Sequence, residues 1–398
     1  MIITWLIPDT YGFLLDELEE LSSKTLKLRV LSGKPIPKKV RERLPEVAFY
    51  YCPPKSIVLQ SLRNKRLRLL WQWHGWRLLK NTYHANPIAG LYAVLNQLEK
   101  KAPSDVIHSH FAYPGGVGAR LLDKPQLLTL RGYDVLTTGH YGATWNFFFR
   151  KNLIASFRKN TIVTGGSGYT VERARQILGW EADIRYVKEG ITFKSFDRAH
   201  RFDRNALDIK QNEMVLLSVG NLVDVKSHAL LFSAYAALED RIKQTTRIII
   251  CGDGPLRADL EKQCKSLGID ERVVFLGQLP RQELADIFEL SDVLVHPSMS
   301  EGFGNVILEA MFFKLLVIAS PVGVARDIIM DTKNGYLPKL GDKQSWKTCL
   351  EHVLQKDLKS FRKVLDKNHQ MVLNTFSMEQ RIDAFLELYR ETVKNSAE

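Results

Sequence analysis

Two successive doubly wound parallel-sheet domains, an α/β architecture, are what this sequence predicts, on three observations. Its 398 residues exceed what one ordinary hydrophobic core holds, so two domains of roughly 150–200 residues are expected. Short apolar runs alternate with helix-length amphipathic segments, the rhythm of parallel α/β proteins. That rhythm then restarts after a charged, apolar-poor stretch around residues 196–211. Strands are expected in the first half at 2–8, 26–32, 47–51, 106–108, 127–130 and 161–165, and in the second at 214–219, 247–251, 273–276, 293–296 and 316–319. The expected partition is 1–197 and 212–377, with 198–211 as linker.

Composition is that of a soluble globular chain, 45% hydrophobic and 25% charged. Nothing approaches 18 consecutive apolar residues, and residues 1–8 lack a basic start and a small-residue cleavage site, so they read as a first strand in a cytoplasmic protein. The cysteines Cys52, Cys251, Cys264 and Cys349 have no metal-ligand spacing, which suits packing roles in a reducing compartment and suggests no metal site.

The net charge of +12 calls for a polyanionic partner: nucleic acid, an anionic bilayer or phosphorylated substrates. No acidic residue lies between Glu46 and Glu99, whereas Arg63, Lys65, Arg66 and Arg68 are followed by Trp71, Trp73 and Trp76. Cations beside indole rings suit a helix lying in an anionic lipid headgroup layer. An ordinary amphipathic helix with core tryptophans is the other reading. No nucleic-acid-binding motif accompanies the charge, so nucleic acid is not an expected partner.

Ligands of open parallel sheets bind at the carboxyl ends of strands. The first such turn, Pro8 to Gly12, has no GxGxxG, and the chain has no GxxxxGK[ST], which argues against a dinucleotide dehydrogenase or P-loop ATPase. The informative loops carry Gly220 and Asn221 leading to Lys226, then Gly252 and Gly254, then His296 through Gly304. Gly302 and Gly304 let backbone approach a ligand, and the helix beginning beyond them offers free amides to a phosphate. Glu301, beside that anion site, is suited to accept hydrogen bonds from sugar hydroxyls. Glu309 lies about 12 Å along the helix, within reach of a second polyol such as a ribose. Two carboxylates flanking a diphosphate, with Lys226 as its cation, describe a nucleotide-sugar site. Alternatively Glu301 is a helix N-terminal charge and Glu309 a solvated residue.

The ordered series Val215 to Leu222 with Lys226, Cys251 to Leu256, Val274 to Gly277, Pro297-Ser298-x-x-Glu301-Gly302-Phe303-Gly304-Asn305 and Glu309-Ala310-Met311 resembles the retaining family 4 glycosyltransferases of the GT-B fold. His108 to Gly116 and Thr129 to Asp134 resemble the members that build bacterial surface polysaccharides. The resemblance implies that Glu301 holds the donor sugar, Glu309 the ribose, and Lys226 with the amides of Gly302, Phe303, Gly304 and Asn305 the diphosphate. Gly220, Asn221, Gly252, Gly254 and Gly12 would border the donor; His108, His110 and Tyr113 would face the acceptor. Each softer candidate has a plain structural reading too: a paired histidine motif for 108 and 110, turn glycines for the rest. The terminal helix, about 378–398, would return to the first domain.

The implied reaction moves a sugar from a nucleotide diphosphate sugar, UDP favoured over GDP, to a glycan or polyprenyl-linked acceptor. It does so with retention and without metal or cofactor, at a cleft facing the inner membrane. The chain departs from the family at Asn221, where an arginine is common, at Arg131, where many members have a donor-touching histidine, and at Phe312 to Leu316. Arginine cannot act as a base near neutral pH but can bind hydroxyls or phosphate. Rival readings are a nucleotide-sugar epimerase on the same fold and a catalytically silent scaffold of a polysaccharide assembly complex. No two acids are placed to face one glycosidic bond across about 5–10 Å, which argues against a glycosidase.

Overall fold

The computed structural model describes residues 1–8, 12–24, 26–51, 82–122, 124–132, 134–135, 151, 153–154, 156–157, 161–179, 181–192, 196 and 200–397. The basic, tryptophan-bearing segment containing Arg63, Lys65, Arg66, Arg68, Trp71, Trp73 and Trp76 lies outside the described residues. No helix among the described residues is long and apolar enough to cross a membrane.

Two compact units emerge, Met1–Gly190 with Met378–Glu398, and Ile191–Ser377. The first holds a parallel seven-stranded sheet in the order β3-β2-β1-β4-β5-β6-β7. These strands are β1 (Ile2–Ile7), β2 (Lys27–Ser32), β3 (Ala48–Tyr51), β4 (Val106–His110), β5 (Gln126–Leu130), β6 (Ile162–Gly165) and β7 (Ile184–Tyr186). The sequence reading lacked β7, whose three residues are too few to show a period.

The second unit holds a parallel five-stranded sheet in the order β10-β9-β8-β11-β12. Its strands are β8 (Met214–Val219), β9 (Thr246–Cys251), β10 (Val273–Gly277), β11 (Val293–His296) and β12 (Leu316–Ala319). Strand alternation sends Val215, Leu217, Ile249 and Val317 to a core with Phe288, Ile307 and Met311. It sends Leu216, Ile248, Val293 and Ile318 to the opposite face, with Phe232 and Trp346. Burial on both faces is why these strands are continuous apolar runs. The strand order reverses between β1 and β4 and between β8 and β11, the switch points where such sheets place their ligands.

The chain leaves the first unit at Gly190 and re-enters it at Met378, so residues 200–211, expected as linker, belong to the second unit. The Asp286 carboxylate anchors them, accepting the amides of His200 (3.1 Å), Arg201 (2.8 Å) and Phe202 (3.3 Å). The terminal helix, Met378–Ala397, packs in the first unit, where Trp5 Nε1 donates to the Tyr389 hydroxyl at 2.9 Å. Cys251, Cys264 and Cys349 are free, and burial pushes each thiol up to about 12.

Candidate functional site

In the second unit, the loops following β8 and β11 are tied together by backbone. Val225 O accepts the Met299 amide at 2.7 Å and the Ser298 hydroxyl at 3.1 Å. A third loop joins them, since the Ser320 amide donates to His296 O (3.0 Å) and the Val324 amide to Phe303 O (2.7 Å). This stitching brings Lys226 to Glu301, 75 residues away, with Nζ 2.5 Å from Oε1. His296 Nε2 lies 2.8 Å from the same oxygen. Oε2 makes no hydrogen bond to the described residues, so it is the lone-pair face offered to a ligand.

The Glu301 side chain is 11% exposed and that of Lys226 23%. Burial opposes ionisation of Glu301, but Lys226 and His296 outweigh it and hold the carboxyl well below the usual carboxylate range. The group is therefore an acceptor of hydrogen bonds and not a proton donor. Near the pair, burial, then His296 and Lys226, push the His228 imidazole down to about 4, and its buried Nδ1 has no hydrogen-bond partner among the described residues.

Gly304 has φ +97° and caps the Asn305–Phe312 helix, a left-handed conformation that favours glycine. Gly302 and Asn305 are half-buried and Phe303 is buried, within the core. The start of this helix lies against Glu301, since a Cβ on Gly304 would come within 3.7 Å of Glu301 Cγ, and a helix N-terminus carries positive potential. Glu309 is 15% exposed, and Arg281 Nη2 lies 3.9 Å from its Oε1, so it is a partly buried carboxylate beside a guanidinium, not a solvated helix charge.

Gly252 and Gly254 sit where two loops of the protein meet. A Cβ at Gly252 would lie 2.0 Å from Gly220 O, and one at Gly254 would lie 2.5 Å from Leu222 O. Both glycines let two loops of the protein touch. Asn221 is exposed next to them. In the first unit Gly12 opens the Gly12–Ser22 helix in open space, and Tyr11 lies outside the described residues.

Arg131, expected to face the substrate, is instead 4% exposed. Its Nη1 donates to Glu189 (3.0 and 3.1 Å) and its Nη2 to Glu17 (2.5 Å) and to His110 Nδ1 (2.9 Å). Arg381 closes the square through Glu17 (2.7 Å) and Glu189 (3.1 Å). Burial would raise the Glu17 carboxyl, but the two guanidinium groups hold it below its ordinary value. Arg131 and Asp134 do not form the side-chain ion pair considered from sequence: Asp134 accepts the Arg131 amide at 3.0 Å and the Ala112 amide at 2.8 Å.

His108 is likewise internal, bonded through Nδ1 to Tyr389 and through Nε2 to Thr129, both at 2.7 Å. Burial, reinforced by Arg131 and Arg381, keeps it neutral. His110 is fully buried and neutral for the same main reason, and its Nε2 has no hydrogen-bond partner among the described residues. Of the acceptor-side candidates only Tyr113 is partly exposed, its phenol raised by burial. Sequence reasoning assigned no role to His296, His228, Glu17, Glu189, Arg281 or Arg381; only His296, five residues before Glu301 in one loop, gave a local signal.

The family description "Glycosyl transferases group 1" matches residues 200–372. A D-inositol 3-phosphate glycosyltransferase of Corynebacterium urealyticum is 32% identical over 309 residues, covering 72% of this chain and 71% of that protein. The N-acetyl-alpha-D-glucosaminyl L-malate synthase of Bacillus anthracis is 23% identical over 316 residues, 77% of this chain and 79% of the relative. Among solved structures, Anabaena Alr3699/HepE in complex with UDP and glucose superposes with a TM-score of 0.76 at 18% identity, covering 98% of this chain and 100% of that one. The fold is thus the GT-B fold, and the chain belongs to the group 1 glycosyltransferases.

Proposed function

We propose that the enzyme transfers a sugar from a nucleotide diphosphate sugar to a glycan or lipid-linked acceptor, with retention at the anomeric carbon and no metal requirement. One observation carries this reading: Lys226 and an ionised Glu301 meet beside the N-terminus of the Asn305–Phe312 helix. Lys226 and the helix amides provide positive charge for a diphosphate leaving group, the work a divalent cation does in other transferases. Glu301 Oε2 accepts hydroxyls of the donor sugar, and Glu309 the ribose. The departing phosphate oxygen takes the acceptor proton on the face it leaves, so positioning and electrostatics suffice without a side-chain nucleophile.

UDP is the favoured carrier, supported by the UDP and glucose held in the similar Anabaena structure. The basic segment around Arg63 to Trp76 supports an acceptor at the inner membrane face in surface polysaccharide or lipopolysaccharide synthesis. Calorimetric titration with UDP and GDP tests the donor assignment. UDP should bind, and Lys226→Ala and Glu309→Ala should each weaken it; binding of neither nucleotide would overturn the reading. Liposome binding unchanged by neutralising Arg63, Lys65, Arg66 and Arg68 would remove the membrane component.

A further inference from the structure

Away from the Lys226–Glu301 cluster, the second unit carries a cavity of about 480 Å³ beyond β12 at the sheet edge. Its lining includes the buried Tyr336 and Pro338 and half-buried Leu337, together with the exposed Asp331, Gln344 and Thr348. The walls are preformed. Tyr336 donates to Val317 O (2.9 Å) and accepts from Ala319 (3.0 Å), which extends the sheet. Asp331 Oδ1 accepts the Leu337 amide, Ser345 Oγ the Lys339 amide and Asp342 Oδ1 the Ser345 amide, each at 2.9 Å. The Asp331 Oδ2, the Gln344 amide and the Thr348 hydroxyl make no hydrogen bond to the described residues, so a rigid frame presents unused donors and acceptors among apolar lining residues.

We infer that this cavity binds a neutral saccharide, a pyranose or short oligosaccharide, at a site separate from the Lys226–Glu301 cluster. The apolar lining suits the C–H face of a sugar ring, and carboxylate, amide and hydroxyl groups match its hydroxyls. Charge favours a neutral ligand over a nucleotide diphosphate, because Asp331 and Asp342 outnumber Lys339 on the lining. The volume lies within the ordinary range of small-ligand pockets, about 300–1,000 Å³. The turn that carries Lys339 and Asp342 of the lining touches the loop before Glu301: a Cβ on Gly341 would lie 3.3 Å from Met299 Cε, two residues before Glu301. That the sugar belongs to the acceptor or product glycan rests on the function proposed above; that the cavity takes a neutral sugar does not.

Saturation-transfer NMR on the full chain tests this, with disaccharides of glucose, galactose, mannose and N-acetylglucosamine as probes and UDP titrated in parallel. At least one disaccharide should bind saturably, with Kd on the order of 1 mM. The Gln344→Ala/Thr348→Val double variant and Asp331→Asn, which keeps an oxygen for the Leu337 amide, should weaken it about tenfold and leave UDP affinity unchanged. No saturable binding below about 50 mM, or binding by the double variant equal to that of the wild type, overturns the inference. Sugar binding without UDP binding would sustain the cavity assignment while sinking the proposed donor chemistry; UDP binding without sugar binding would do the reverse.

Discussion

Lys226 Nζ and His296 Nε2 converge on one oxygen of Glu301, at 2.5 and 2.8 Å. In this state the carboxylate neutralises the cation that a diphosphate would use. On the donor role proposed above, a diphosphate would draw Lys226 away from Glu301, and that exchange would free the carboxylate for sugar hydroxyls. Glu301→Gln should tighten binding of UDP alone by about three- to tenfold, by removing the competing anion. Sugar transfer should fall by about 100-fold or more, because the donor is no longer oriented. Weaker UDP binding in this variant would show that the pair acts otherwise.

Apart from Lys226, His296 is the donor to Glu301 Oε1 among the described residues, and it would be the one left if a diphosphate took Lys226. His296→Gln keeps an N–H at that position and should stay within a few-fold of wild-type turnover. His296→Leu should lose about 10- to 100-fold in kcat while UDP affinity holds. Equal losses in the two variants would reduce His296 to a packing residue.

Acid stability should report on His228. Its folded pKa, about 4, lies below the ordinary 6.5, so the unfolded chain binds the proton first as pH falls. The neutral-state contribution is fully present above 6.5 and is lost as pH drops towards 4, by at most about 3 kcal/mol. His108 and His110 act in the same direction in the other unit, so the measurement should be local: hydrogen exchange in β8 and β9 between pH 7.5 and 4.5. His228→Leu should flatten the profile there; an unchanged profile would remove His228 as the cause.

Arg131 should behave as a structural residue. Its removal leaves Glu17 and Glu189 buried with only Arg381 between them. Arg131→Met should destabilise the first unit by about 3–5 kcal/mol, read from urea unfolding. Adding Glu189→Gln should recover part of that loss, since the two positions couple. A stable Arg131→Met enzyme with weakened donor binding would restore the substrate-facing role.

Gly252→Ala and Gly12→Ala form a matched pair. The first places a methyl 2.0 Å from Gly220 O at φ +144°, the second in open space. Gly252→Ala should lower stability by more than about 3 kcal/mol or abolish soluble expression. Gly12→Ala should change stability by less than about 1 kcal/mol. Thermal denaturation of both variants separates these outcomes.

What the sequence determined by itself was the architecture and the site-bearing loops. Strands buried on both faces are continuous apolar runs such as those at Ile248 and Leu294, legible without any contact. Glu301 and Glu309 share one loop and one helix, so their spacing is a local property of the chain. Tertiary structure decided whatever depends on partners far along the chain. Only the crossover between β8 and β11 brings Lys226 to Glu301, and Glu17, Glu189 and His110, from distant parts of the chain, turn Arg131 inward. Tyr389, 281 residues from His108, makes that histidine a core group. Gly252 resembles a ligand-approach glycine in sequence and is a backbone-packing glycine in space. A side chain's charge and reach are set by its type, whereas burial and pairing are set by what the fold packs against it.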